Sequence, residues 1–125
     1  MKYGVIIGSL REGSYSRAVS KGIIAGLPED AEVTYLEIGQ LPLYSEDYDQ
    51  KDIPEYTEFR KAVAEQDAII FVSPEHNRNI PAALKNAIDI ASRPFGENVW
   101  AGKPALIATG SISGTGGMLS NHAIR

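Results

Sequence analysis

A chain of 125 residues with 43% hydrophobic content can form one domain around a single core and is too short for two ordinary ones. Its net charge of -4, without any gathered run of Lys or Arg, argues against nucleic acid or an anionic membrane surface as a partner. The lack of cysteine excludes disulfide frameworks, thiolate metal sites and thiol nucleophiles, and no apolar run approaches the ~20 residues of a membrane span.

Met1-Lys2 leads directly into the apolar run of residues 3–7, with no signal-peptide pattern, so a cytoplasmic protein is expected. That run reads as a strand buried on both faces. After the loop GSLREGSYS at 8–16, Val19, Ile23 and Leu27 recur at i, i+4 and i+8 and predict a helix. Residues 32–36 alternate polar and apolar, as an edge strand does. Tyr56, Phe59 and Val63 mark a second helix, with Asp52 as its expected N-cap and Glu55 three residues on. Residues 68–72 form another buried-strand run, followed by the polar loop SPEHNRNIP at 73–81. Leu84, Ala87, Ile88 and Ala91 give the clearest helical stripe, starting at Pro81 and ending before Pro94. Ile90 lies off that stripe, and with Ala83, Ala87 and Ala91 it predicts a small-residue surface for packing between subunits. The apolar run at 105–108 reads as a fourth strand covered on both faces, and it leads into GSISGTGG at 110–117.

Strand and helix alternate throughout, which implies one α/β domain over residues 1–125: a parallel sheet with helices on both faces and ligands beyond the carboxyl ends of its strands. The loop at 8–16 follows a strand and opens a helix, so its backbone N–H groups and the helix dipole suit phosphate. Arg11 can fork onto anionic oxygens, and Ser9, Ser14 and Ser16 can donate to others. Gly8 and Gly13 have the spacing of a nucleoside-triphosphate loop, but Ser14-Tyr15 stands where Lys and Ser/Thr are needed, and GxGxxG is absent. A polar turn with a serine N-cap accounts for one or two of the hydroxyls, though not for three together with an arginine. The glycines of 110–117 let backbone approach a ligand closely, or simply make a flexible turn.

His76 admits several readings. A metal site needs further ligands at fixed spacing, yet the chain has only His76 and His122. A serine-histidine-acid arrangement lacks the G-x-S-x-G elbow. An ordinary polar loop residue, or part of a pocket wall, remains open.

Five motifs together carry a resemblance: GSLREGSYS, LPLYSED at 41–47, SPEHNRNIPAALKNAIDIASRP at 73–94, WAGKP at 100–104, and GSISGTGG. In this order, over nearly the whole chain, they resemble the NADPH-dependent FMN reductase family, which includes quinone, chromate and azo-dye reductases. The resemblance implies a flavodoxin-like, doubly wound, three-layer α/β/α fold. It also implies that Ser9, Arg11, Ser14 and Ser16 hold the FMN phosphate. Pro74, Glu75, His76, Asn77 and Arg78 would line the ribityl and isoalloxazine region, with Ser111 and Gly114 on the opposite loop. The family usually has tyrosine where this chain has His76, so backbone contacts from that loop are the ones expected to be kept.

The implied activity is hydride transfer from NADPH or NADH to FMN, then reduction of a small-molecule acceptor such as a quinone, azo compound, metal oxyanion or free flavin. No catalytic side chain and no metal is required, because the flavin carries the chemistry. Homodimers or homotetramers are expected by the same resemblance. Its sheet has five strands, whereas four are visible here, so the fifth strand and last helix are expected to be missing. Three outcomes stay open: a shortened form, an edge completed by a partner chain, or an unprotected edge. A flavin-binding electron carrier without nicotinamide turnover is the alternative function, disfavoured by the mildness of the acidic charge; a product that folds and binds nothing is a third.

Overall fold

The computed structural model describes residues 1–125. Along the chain run β1 (Lys2–Ile7), α1 (Tyr15–Ala25), β2 (Glu32–Tyr35), a 3-10 turn (Glu46–Tyr48), α2 (Pro54–Ala64), β3 (Ala68–Pro74), α3 (Ala82–Ala91), β4 (Ala105–Gly110) and α4 (Met118–Ile124). The strands form one parallel sheet in the order β2-β1-β3-β4. From β1 the chain moves outward to β2 and then returns to the other side of β1 as β3. The crevice at this reversal, between the carboxyl ends of β1 and β3, is where such sheets take ligands.

Burial on both faces explains why β1 and β3 are nearly all apolar. Alternate side chains point to opposite faces. Ile6, Ile69 and Phe71 join Tyr56, Phe59 and Val63 of α2 and Leu84, Ala87 and Ile90 of α3 in one cluster. Val5, Ile7, Ile70 and Val72 form a second cluster on the other face, against Ile23, Ile24 and Leu27 of α1 and its following turn. Each such side chain contributes about 1.5–3 kcal/mol through removal from water. Trp100 closes one end of the first cluster, its ring 5.7 Å from Phe71 and 6.3 Å from Phe59.

Several sequence expectations need correcting. β4 is less covered than its apolar run predicts: its residues are exposed or half-buried, and β3 is its neighbour in the four-stranded sheet. Leu106 pairs with Ile70 and so faces the α1 side, but α1 sits over β1 and β3 and leaves Leu106 47% exposed. Ile107, facing the opposite way, does reach the first cluster. Ile90 is fully buried in the core with Ala87 and Ala91, so these residues form no surface for another subunit. Its position off the stripe is explained by α2, whose Arg60 Nε donates 2.9 Å to the Ile90 carbonyl as the two helices pack. Asp52 does not cap α2. Ile53 occupies that position without a side-chain bond, Pro54 sets the entry, and Asp52 instead accepts from the Thr57 hydroxyl at 3.2 Å. Pro81 stands at the N-cap of α3 with extended backbone rather than in the first turn.

The connection from β2 to α2 is held against α3 by a buried amide. Asn86 Oδ1 accepts from Tyr44 N–H at 2.8 Å, and Nδ2 donates to the Leu41 and Pro42 carbonyls at 3.3 and 3.1 Å. The Tyr56 hydroxyl donates to the Leu43 carbonyl at 2.9 Å. Arg93 then links the same segment through Glu46 at 2.7 Å and the Tyr44 oxygen at 3.0 Å.

Asn86→Ala leaves one N–H and two carbonyls without their partner, and we expect a loss of about 1–3 kcal/mol in urea unfolding. A second expectation concerns pH. Burial raises the Tyr44 phenol above its ordinary 10.0, with the hydrogen bond to Asp49 acting the same way, and burial followed by the neighbouring Tyr48 raises Tyr56. Unfolded phenols therefore ionise first, so stability is intact below pH 10.0 and is lost as pH climbs through the raised native values. Urea midpoints taken on both sides of that pH should fall, and fall less steeply in Tyr56→Phe.

Candidate functional site

The loops that leave β1, β3 and β4 meet at the carboxyl edge of the sheet around a cavity of about 850 Å³. Its size lies within the range of small-molecule and cofactor sites, roughly 300–1,000 Å³. The β1–α1 loop and the start of α1 bring Ser9, Arg11, Ser14 and Ser16 to its wall together with Leu10, Tyr15 and Val19, and the other two loops bring apolar residues such as Pro74, Ala82, Ala83 and Ile112 together with Glu75, His76, Thr109 and Ser111.

On the β1–α1 loop, Ser14 is the N-cap of α1, its hydroxyl oxygen accepting from Arg17 N–H at 3.2 Å. Ser9 likewise accepts from Arg11 N–H at 3.3 Å. Each oxygen thus has a lone pair occupied locally, leaving its proton to be donated into the cavity. Ser16 is buried in the first helical turn, where the N–H groups of Tyr15 and Ser16 have no intrahelical acceptor. Arg11 forms no ion pair with a carboxylate; its guanidinium lies 5.3 Å from the centre of the exposed Tyr15 ring. Hydroxyls, backbone N–H groups, a helix start and an unneutralised guanidinium at one spot make a donor set for a phosphate-sized anion.

The β3–α3 loop doubles back on itself. His76 and Asn79 exchange backbone hydrogen bonds of 2.9 Å, while Asn77 and Arg78 between them adopt positive φ of 50° and 63°. This tight turn points the tip away, so Pro74, Glu75 and His76 line the cavity and Asn77 and Arg78 do not. Neither the metal nor the catalytic-triad reading of His76 finds support in its surroundings, an exposed position at the cavity lip. On the β4–α4 loop, Ser111 lines the cavity and Gly114 lies outside it. Ser111, Ser113 and Thr115 hydroxyls bond along that loop at 2.9 Å each.

Sequence reasoning missed other parts of the wall: Leu10, Tyr15, Val19, Pro81, Ala82, Ala83, Thr109 and Ile112. Val19, one of the periodic apolar residues that predict α1, is 47% exposed and lines the cavity. An apolar stripe records which residues avoid water, and a ligand-binding wall satisfies the same pattern as a core. Ile112, fully exposed, gave no periodic signal at all. A second hollow of about 490 Å³ shares Ser9, Leu10 and Arg11 and extends between the ends of β1 and β2, where Glu12 and Glu37 oppose an anion.

The profile of the NADPH-dependent FMN reductase family matches residues 1–125. A quinone reductase of Pseudomonas putida is 44% identical over 122 residues, 97% of this chain and 66% of that protein. A 2-hydroxy-1,4-benzoquinone reductase of a Burkholderia species is 40% identical over 126 residues, covering 100% of this chain and 68% of its own. In structure, the flavoenzyme NAD(P)H:(acceptor) oxidoreductase FerB of Paracoccus denitrificans superposes with a TM-score of 0.90 and 32% identity, over 98% of this chain and 68% of that one. The chain thus spans about two thirds of the length of these relatives.

Gly8 fixes how closely the first two loops can approach. Its N–H donates to the Val72 carbonyl at 2.9 Å, and a Cβ built on it would lie 2.5 Å from the Ser73 Oγ and 2.9 Å from the Ser73 Cβ. Ser73 is fully buried and cannot swing clear. Gly8→Ala is therefore expected to destabilise the fold by about 1–3 kcal/mol, read as a lower thermal midpoint. An unchanged midpoint would mean that the approach of β1 and β3 is looser than described.

Proposed function

Because the chain belongs to the NADPH-dependent FMN reductase family, we propose that it is an FMN-dependent oxidoreductase, taking hydride from NADPH or NADH and reducing a quinone or a comparable small acceptor. The observation that carries this reading is one cavity with two kinds of lining: the donors Ser9, Arg11, Ser14 and Ser16, and apolar side chains such as Val19, Ala82, Ala83 and Ile112. A flavin mononucleotide has two parts to match, a phosphate and a flat ring.

Bound FMN supplies the redox chemistry, two-electron reduction by a reduced nicotinamide and reoxidation by the acceptor. The chain's own residues bind and orient. Arg11 holds the phosphate by charge-assisted hydrogen bonds, and the α1 N–H groups with the serine hydroxyls share the remaining oxygens. Pro74 to His76 on one side and Gly110 to Ile112 on the other shape the slot for the ring. Asn77, Arg78 and Gly114 then act on the loop conformation more than on the ligand, since they lie off the cavity. Ile112 gains burial only when something flat covers it. No side chain in the slot is required as nucleophile or obligatory acid, so acceptor choice rests on shape and access.

Two further parts of the reading have support of a more general kind. The expected homodimer or homotetramer rests on the family. A cytoplasmic location stays the expectation from the sequence; no helix is long and apolar enough to cross a membrane.

Titration of the purified protein with FMN, followed by absorbance and by quenching of flavin fluorescence, should show saturable binding, and NADPH should then be oxidised when a quinone is present. Arg11→Ala is expected to weaken FMN binding about 10- to 100-fold. His76→Tyr should leave FMN affinity in the wild-type range, because the loop contributes shape and backbone. Protein that ignores FMN would end the proposal, whereas bound FMN without NADPH oxidation would leave an electron carrier.

A further inference from the structure

Glu75 lines the cavity, yet its carboxylate is engaged elsewhere. Oε1 accepts from the N–H groups of Leu119 and Ser120, at 2.9 and 3.1 Å, in the first turn of α4. Helix α4 needs this acceptor from outside. Its own N-cap is Gly117, which has no side chain to offer and adopts a left-handed φ of 79°. The fully buried Ser120 adds a second tie, its Oγ donating to the Pro74 carbonyl at 3.0 Å. So the end of β3 and the start of α4, more than forty residues apart in sequence, are joined by three hydrogen bonds from two adjacent residues.

Between β4 and α4 lies the loop 110–117, one wall of the slot. Its bonds are mostly internal, among Ser111, Ser113 and Thr115, with Thr109 Oγ1 donating to the Gly116 carbonyl at 3.3 Å. At its near end the loop is joined to the opposing wall by the strand ladder, where Gly110 pairs with Pro74, whereas residues 111–117 make no hydrogen bond to 74–76. At its far end the loop is tied to the same wall again, by Glu75 to the Leu119 and Ser120 amides and by Ser120 Oγ to the Pro74 carbonyl. Among the alternatives, a direct ligand to the flavin is the obvious role for a cavity-lining carboxylate, but a negative charge whose oxygen already serves two amides is better explained as a cap.

We propose that Glu75 is a positioning residue: by capping α4 from the opposite loop it fixes the far end of the 110–117 wall, whose near end is held by the β3–β4 ladder. This rests on the reading of the cavity as an FMN site for its consequence, but not for the contact itself. Loss of the cap leaves the Ser120 Oγ bond to Pro74 as the one remaining tie at the start of α4, so residues 111–117 loosen and that wall is no longer held for a flat ring.

The test separates the two levels. In the protein without flavin, hydrogen exchange of the Leu119 and Ser120 amides is compared among wild type, Glu75→Ala and Glu75→Gln. Glu75→Ala should speed exchange there by about tenfold, and Glu75→Gln, whose amide oxygen can accept the same bonds, should restore protection. FMN affinity and the visible circular dichroism of bound flavin should follow the same order, weakened about tenfold in Glu75→Ala and rescued in Glu75→Gln. Unchanged exchange in Glu75→Ala overturns the cap; faster exchange with unaltered FMN affinity overturns its positioning role. Should Glu75→Ala fail to fold, Glu75→Asp, one methylene short of the amides, is read by the same criteria. A wild-type protein that binds no FMN would refute the functional reading, and the exchange data would still decide whether the cap exists.

Discussion

The parallel pairing of β1 with β3, from Tyr3 against Ala68 to Ile7 against Val72, is the constraint on which the rest of the molecule depends. It brings residues more than sixty positions apart into register and sets the carboxyl ends of the two strands level. The loops that follow therefore open at the same height, 8–14 beside 75–81. Gly8 and the buried Ser73 sit at that junction, too close for any added carbon. Because β2 lies outside β1 and β4 outside β3, the chain leaves the pair in opposite directions and a crevice opens above it. The two hydrophobic clusters exist because this pair is covered on both faces.

The elements of this arrangement were legible in the sequence where burial is two-sided. Residues 3–7 and 68–72 had nearly no polar side chain, and strands between two helical layers need none. The alternation at 32–36 correctly marked an edge. The run at 105–108 is as apolar, yet Leu106 is half exposed, because α1 packs chiefly over β1 and β3. Ile90 failed in the opposite sense. A single-helix stripe ignores the second helix packed alongside, and α2 buries a side of α3 that the stripe leaves out.

The candidate site was legible chiefly as three loops at strand ends, which topology makes neighbours. Its polar donors could be listed from residue types, since Ser, Arg and a helix start have a shared chemistry. The apolar lining could not. Val19 satisfies a core pattern while facing a cavity, and Ile112 satisfies none. Nor does residue type separate Glu75 from its neighbours: the partner amides of its carboxylate, Leu119 and Ser120, belong to a helix far along the chain. Asn77 and Arg78 show the complementary lesson, for their positive φ turns a conspicuous polar motif into a tight reversal outside the cavity.

Membership in the NADPH-dependent FMN reductase family motivates FMN as the proposed ligand, and the cavity beyond the strand ends is the place proposed for it. The central claim is that the donors Ser9, Arg11, Ser14 and Ser16, more than the slot, anchor that ligand. Calorimetric titration with FMN and with riboflavin, which keeps the ring and ribityl chain but lacks the phosphate, tests it most directly. The account predicts that FMN binds at least about 100-fold more tightly, the worth of two charge-assisted hydrogen bonds. Equal affinity for the two, or binding of neither, would contradict it.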